Sequence, residues 1–118
     1  MKSLGLIGFG QFGQLVAAQL RDRFAIGVHD VLADAELVEN AGFTLLSLEE
    51  AAAHDIIVIA VPVQAMEQVI ARIAPLVRPG ATVVDVASVK ALPSEWLSRY
   101  MPDNVHIVAT HPLFGPQS

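Results

Sequence analysis

A doubly wound α/β domain with a mainly parallel sheet is the fold class this sequence predicts, and two observations predict it. Short Ile/Val-rich stretches alternate with amphipathic stretches of helical spacing throughout the 118 residues, the pattern of repeated strand-helix-strand units. A Gly8-Phe9-Gly10-Gln11-Phe12-Gly13 turn separates the first such strand from the first such helix, as close packing of a helix against the strand before it requires. Right-handed crossovers leave few topologies for such a chain, and the expected strand order is 3-2-1-4-5-6.

Each element has its own signal. Ser3 to Ile7 reads as a short buried strand, and Phe12, Leu15, Val16 and Leu20 recur at the spacing of a helix face. Phe24 to His29 is the second strand, ending at Asp30, and Ala33 to Ala41 is a helix closed by Gly42. Phe43 to Leu46 makes a third strand. Ser47 and Glu50 have capping-box spacing and open a short helix through Ala53, followed by the strand Asp55 to Ala60, apolar enough to be covered on both faces. Pro62 suits the first turn of the next helix, whose stripe is Met66, Val69, Ile70 and Ile73 and which Pro75 limits. After a Pro79-Gly80 turn come a fifth strand, Ala81 to Val86, a helix, Pro93 to Tyr100, and a sixth strand, Val105 to Thr110. Residues 1–118 read as one domain: no linker or fixed-period repeat divides them.

Composition narrows the function classes. A net charge of -5 with scattered lysines and arginines leaves no electrostatic footprint for nucleic acid or an anionic membrane, so a small ligand is expected. The longest apolar run, Ile56 to Val63, is far short of the roughly 20 residues that span a bilayer. Glycines interrupt the apolar start of the chain, which excludes a signal peptide. The chain contains no cysteine, hence no disulfide or thiolate chemistry. These features fit a cytoplasmic domain.

The glycine turn follows a strand and opens a helix, the context in which G-x-G-x-x-G marks a Rossmann-type dinucleotide site. Gly8 permits the tight turn, Gly10 lets backbone approach a pyrophosphate, and Gly13 allows close helix packing. Phe9, Gln11 and Phe12 share that turn, and Val61 and Pro62, after the fourth strand, join the expected cofactor set. Asp30 lies about 20 residues beyond the turn, where a carboxylate can take both ribose hydroxyls of an adenosine. That favours NAD over NADP, because a 2′-phosphate would meet like charge and Val31-Leu32-Ala33-Asp34 offers no arginine. A helix-capping or solvated aspartate is the alternative.

Of the four histidines, His29, His54 and His106 sit at strand margins and read as structural or solvated. His111 directly follows the sixth strand, where open α/β sheets place their ligand crevice, and an imidazole there titrates in the range for general-base work. From position alone, a structural and a catalytic role both stand open. In Asp85-Val86-Ala87-Ser88-Val89-Lys90, Ser88 suits a hydrogen bond to substrate or nicotinamide and Lys90 a contact to carboxylate or phosphate; a Ser88 cap and a Lys90–Asp85 ion pair are the bland alternatives. No metal site is read.

Taken together, the glycine turn, the Asp85 to Lys90 segment and Thr110-His111-Pro112-Leu113-Phe114-Gly115-Pro116 resemble the prephenate and arogenate dehydrogenase family of tyrosine biosynthesis, in order and spacing over essentially the whole chain. The resemblance implies NAD(P)-dependent oxidative decarboxylation of prephenate or arogenate. It makes His111 the acceptor of the substrate hydroxyl proton and Ser88 the residue that orients that histidine and the hydroxyl. It also implies a further, helical domain with a substrate arginine and most of a homodimer interface, which these residues do not include, so the chain by itself is expected to bind cofactor without turnover. Two other readings remain: a non-catalytic NAD-binding module, which His111 argues against, and half of another β-hydroxyacid-type dehydrogenase or imine reductase, which has no need of the His-Pro-x-Phe-Gly-Pro loop.

Overall fold

The computed structural model describes residues 2–31, 35–86 and 91–109. In chain order the elements are β1 (Lys2–Ile7), α1 (Gln11–Leu20), β2 (Phe24–His29), α2 (Ala35–Asn40), β3 (Thr44–Leu45), α3 (Leu48–Ala52), β4 (Ile56–Ile59), α4 (Val63–Ile73), β5 (Thr82–Asp85), α5 (Ala91–Tyr100) and β6 (His106–Ala109). The strands form one six-stranded sheet in the order β3-β2-β1-β4-β5-β6. Every neighbouring pair is parallel, so fold class and strand order are those the sequence predicts.

Side chains alternate across the sheet, and each face buries its own core. Leu4, Leu6, Ile26, Val28 and Val58 pack with Val16 and Ala17 of α1 and Val38 of α2. Ile7, Ile57, Ile59 and Val83 pack on the other face with residues of α3, α4 and α5. Met66, Ile70 and Ile73 on α4 are fully buried. Each such side chain contributes about 1.5–3 kcal/mol, enough to hold the helix to the sheet despite its exposed outer face.

Several boundaries differ from expectation for local reasons. Pro62 is the N-cap of α4 and not its first residue, with ψ at 150°. Helix α5 starts at Ala91, which places Pro93 in the first turn, where its missing N–H costs no intrahelical bond. Pro75 does limit α4, which passes after Ile73 into a 3-10 turn over Ala74–Leu76. The expected capping box is present: the Glu50 amide donates to Ser47 Oγ at 3.1 Å and the Ser47 amide to Glu50 Oε1 at 2.9 Å. It fixes the start of α3 at the sheet's carboxyl edge, where Leu48 becomes part of a cavity wall.

Candidate functional site

The carboxyl edge of the sheet is tied together just beyond its strands. The Gly8 amide donates to the His29 carbonyl and the Ala60 amide to the Ile7 carbonyl, both at 2.8 Å. Gly8 reaches this position with φ at +110°, and a Cβ there would lie 2.6 Å from the Ala60 carbonyl oxygen. A Cβ on Gly13 would collide with the Gly8 carbonyl oxygen, so α1 starts as near the strand as backbone allows. Gly10 differs from both: a Cβ there would meet nothing within 4 Å. It is the N-cap of α1, yet no side chain caps that helix and its first turn carries no acidic residue. Open space beside a helix start of this kind can take an anion.

Asp30 stands across from that space. Its Oδ2 accepts a 2.6 Å hydrogen bond from the Phe9 amide, so the carboxylate is braced against the turn. The Phe9 side chain points away into the core, 4% exposed and edge-on to Phe43 with centroids 6.0 Å apart. Arg21 lies over the Phe43 ring, its guanidinium 5.0 Å from the ring centroid.

These residues border a cavity of about 770 Å³, within the range of small-molecule sites. Of the cofactor residues expected from sequence, Gly8, Gly10, Gln11, Phe12, Asp30, Val61 and Pro62 line it, whereas Phe9 and Gly13 shape it from behind. Ser88, Lys90 and His111 lie outside the described residues, as does the alternative Lys90–Asp85 pair. Asp85, which immediately precedes that segment at the end of β5, is fully buried. Among the described residues there is no cluster of three or more His, Cys, Asp or Glu able to hold a metal, and no helix is long and apolar enough to cross a membrane.

The cavity also uses residues that sequence reasoning did not select for the site, among them His29, Val31, Leu48, Val69 and Arg72. His29 does have a structural bond, its Nδ1 lying 3.0 Å from the Leu46 carbonyl. A carbonyl can only accept, so Nδ1 carries the proton, and His29 also lines the cavity. Val69, read from sequence as part of the core stripe, is only partly buried and also faces the cavity. The available signal was spacing: Ala65, Val69 and Arg72 recur three and four residues apart, offset from Met66, Ile70 and Ile73.

Residues 23–118 match the family described as "Prephenate dehydrogenase, nucleotide-binding domain". The chain belongs to that family. The matched stretch begins beyond the glycine turn, so the turn geometry and the family match are separate grounds for the same kind of site. A Methanocaldococcus jannaschii protein described as "Probable arogenate/prephenate dehydrogenase" is 38% identical over 76 residues, 64% of this chain and 17% of its own length. A Schizosaccharomyces pombe protein described as "Probable prephenate dehydrogenase [NADP(+)]" is 28% identical over 121 residues, 97% of this chain and 28% of its own. The fold is that of the Aquifex aeolicus prephenate dehydrogenase solved with hydroxyphenyl propionate and NAD+, with a TM-score of 0.78 at 22% identity, covering 100% of this chain and 44% of that one. The chain therefore spans less than half the length of each of these proteins. Its family is one of NAD(P)-dependent dehydrogenases, and this stretch is the nucleotide-binding part.

Proposed function

We propose that this domain binds NAD in preference to NADP and forms the cofactor-holding part of a prephenate or arogenate dehydrogenase. One observation carries the cofactor reading: the open space at Gly10, the uncapped start of α1 and the Asp30 carboxylate all border one cavity. A dinucleotide fits that arrangement with its diphosphate at the helix start and its adenosine ribose diol at Asp30. A 2′-phosphate would bring like charge to Asp30. Relatives are described with either cofactor, so the preference rests on Asp30 itself.

A bound nicotinamide would supply the acceptor for a hydride from the carbon bearing the ring hydroxyl, and loss of the ring carboxylate as carbon dioxide would leave the ring aromatic. To His111 we assign the hydroxyl proton, to Ser88 the orientation of that histidine and of the hydroxyl, and to Lys90 a substrate carboxylate. In the remaining length of the relatives we place the other substrate walls and the dimer interface.

Titration calorimetry tests the cofactor reading: NAD should bind more tightly than NADP, and equal affinities or an NADP preference would overturn it. In a complete enzyme containing this domain, His111→Ala should lower turnover by roughly 10²–10⁴-fold, the usual worth of a general base, with NAD affinity unchanged. Retained turnover, or a parallel loss of NAD binding, would make His111 a structural residue.

A further inference from the structure

The cavity continues past Asp30 to a patch whose chemistry the ribose and diphosphate contacts leave unused. Val31, the residue after Asp30, is 81% exposed although apolar, and it lines the cavity. Helix α4 contributes Val69 and Arg72 to the wall of the same cavity, and α3 contributes Leu48. Side chains in a helix lean toward its amino terminus. An arginine in the last turn of α4 therefore reaches back along the groove and not away from it. Among the described residues no carboxylate is recorded within ion-pair distance of Arg72, whereas Arg78 and Arg99 pair with Asp55 and Glu67. Among the described residues that line this cavity, Arg72 is also the only lysine or arginine.

We propose that Arg72 is a specificity residue for the cofactor's base: its guanidinium lies flat on the adenine, whose other face covers Val31. A planar delocalised cation stacks on a π system in a way a point charge cannot. The apolar surroundings, Val31, Leu48 and Val69, strip water from the contact and strengthen it. This inference rests on the dinucleotide reading of the groove and adds to it a residue from an element remote from the glycine turn. It also makes the base, and not the 2′ position, the partner of the cavity's arginine.

Calorimetric titration of the 118-residue chain with ADP-ribose, NAD, NADP and nicotinamide mononucleotide tests it, comparing the natural residue with Arg72→Ala and Arg72→Lys. Arg72→Ala should weaken ADP-ribose, NAD and NADP alike, by roughly 3- to 30-fold, the range of a partly desolvated cation–π contact. Nicotinamide mononucleotide, which has no adenine, should be unaffected. Arg72→Lys should restore little, since it keeps the charge and loses the plane. Arg72 is exposed, so thermal unfolding of both variants should match the parent. Unchanged ADP-ribose affinity in Arg72→Ala, recovery in Arg72→Lys, or a loss confined to NADP would each overturn the proposal while leaving the groove a dinucleotide site. Failure of the unmodified chain to bind NAD or ADP-ribose would overturn the site itself and this inference with it.

Discussion

The two ends of the groove are built from different materials. At the glycine turn the working groups are backbone: the φ of Gly8, the vacant side-chain position of Gly10 and the contact of Gly13 with the Gly8 carbonyl, all within six residues of chain. Away from it they are side chains from α3, α4 and the residue after Asp30, namely Leu48, Val69, Arg72 and Val31, with Asp30 joined to the turn through the Phe9 amide. Backbone geometry of that kind admits almost no substitution, because any Cβ at two of the three glycines strikes a carbonyl. A side-chain wall can change residue by residue. On the proposed reading, the turn decides whether a dinucleotide is held, and the side-chain wall decides which one and how tightly.

Gly8→Ala is the severest way to break this contrast. Strain at a positive φ costs about 1–3 kcal/mol, and the contact with the Ala60 carbonyl adds to it. Chemical denaturation should show that loss and calorimetry the disappearance of NAD binding; a variant of parental stability would mean the turn is not rigid.

Asp30→Ala is next, and it acts at both ends. Leaving the Phe9 amide without its acceptor should cost about 1–3 kcal/mol if that amide stays buried, and the gap between NAD and NADP should narrow. Asp30→Asn separates the two effects, since its amide oxygen can still accept from Phe9 while its charge is gone. It should regain most of the stability and none of the discrimination. Thermal unfolding beside paired titrations reads both, and an Asn variant that kept the NAD preference would remove charge as the discriminating factor.

Gly10→Ala should disturb the fold least. Its φ of -73° suits alanine and its Cβ would meet nothing, so stability should stay within about 0.5 kcal/mol of the parent. NAD affinity should nonetheless fall, because the methyl group occupies the space assigned to the diphosphate. Unaltered affinity would place the diphosphate elsewhere.

The same contrast explains what could be read from the sequence. The turn was legible because its residues are adjacent and each glycine answers a local steric demand. Strand order was legible because the alternation of strands and helices, with right-handed crossovers, prunes topologies without knowledge of any contact. Arg72 was not legible: it is 42 positions from Asp30, and the two share a cavity only because α4 packs against β4 through Met66, Ile70 and Ile73. Val69 packs against the core as its stripe predicts, and its second contact, with the cavity, was not legible for a related reason. A stripe three and four residues wide on a helix includes its own border, and only the position of the neighbouring α3 settles whether a border residue meets core or groove. Gly5 went unread within β1, although a Cβ there would collide with the Ala51 carbonyl oxygen and push α3 off the sheet.

The hydrogen bonds that continue past the strand ends have a consequence for motion. With Gly8 donating to His29 and Ala60 to Ile7, the cavity-facing edge is the last rung of the ladder and not a loop hung from it. Loops fluctuate open on their own, but these amides can exchange their protons with solvent only when β1, β2 and β4 come apart together. Their exchange rates should thus follow the opening of the central sheet even with no nucleotide present. A ligand arriving at such an edge finds it already ordered, and little of its binding energy goes into fixing the turn.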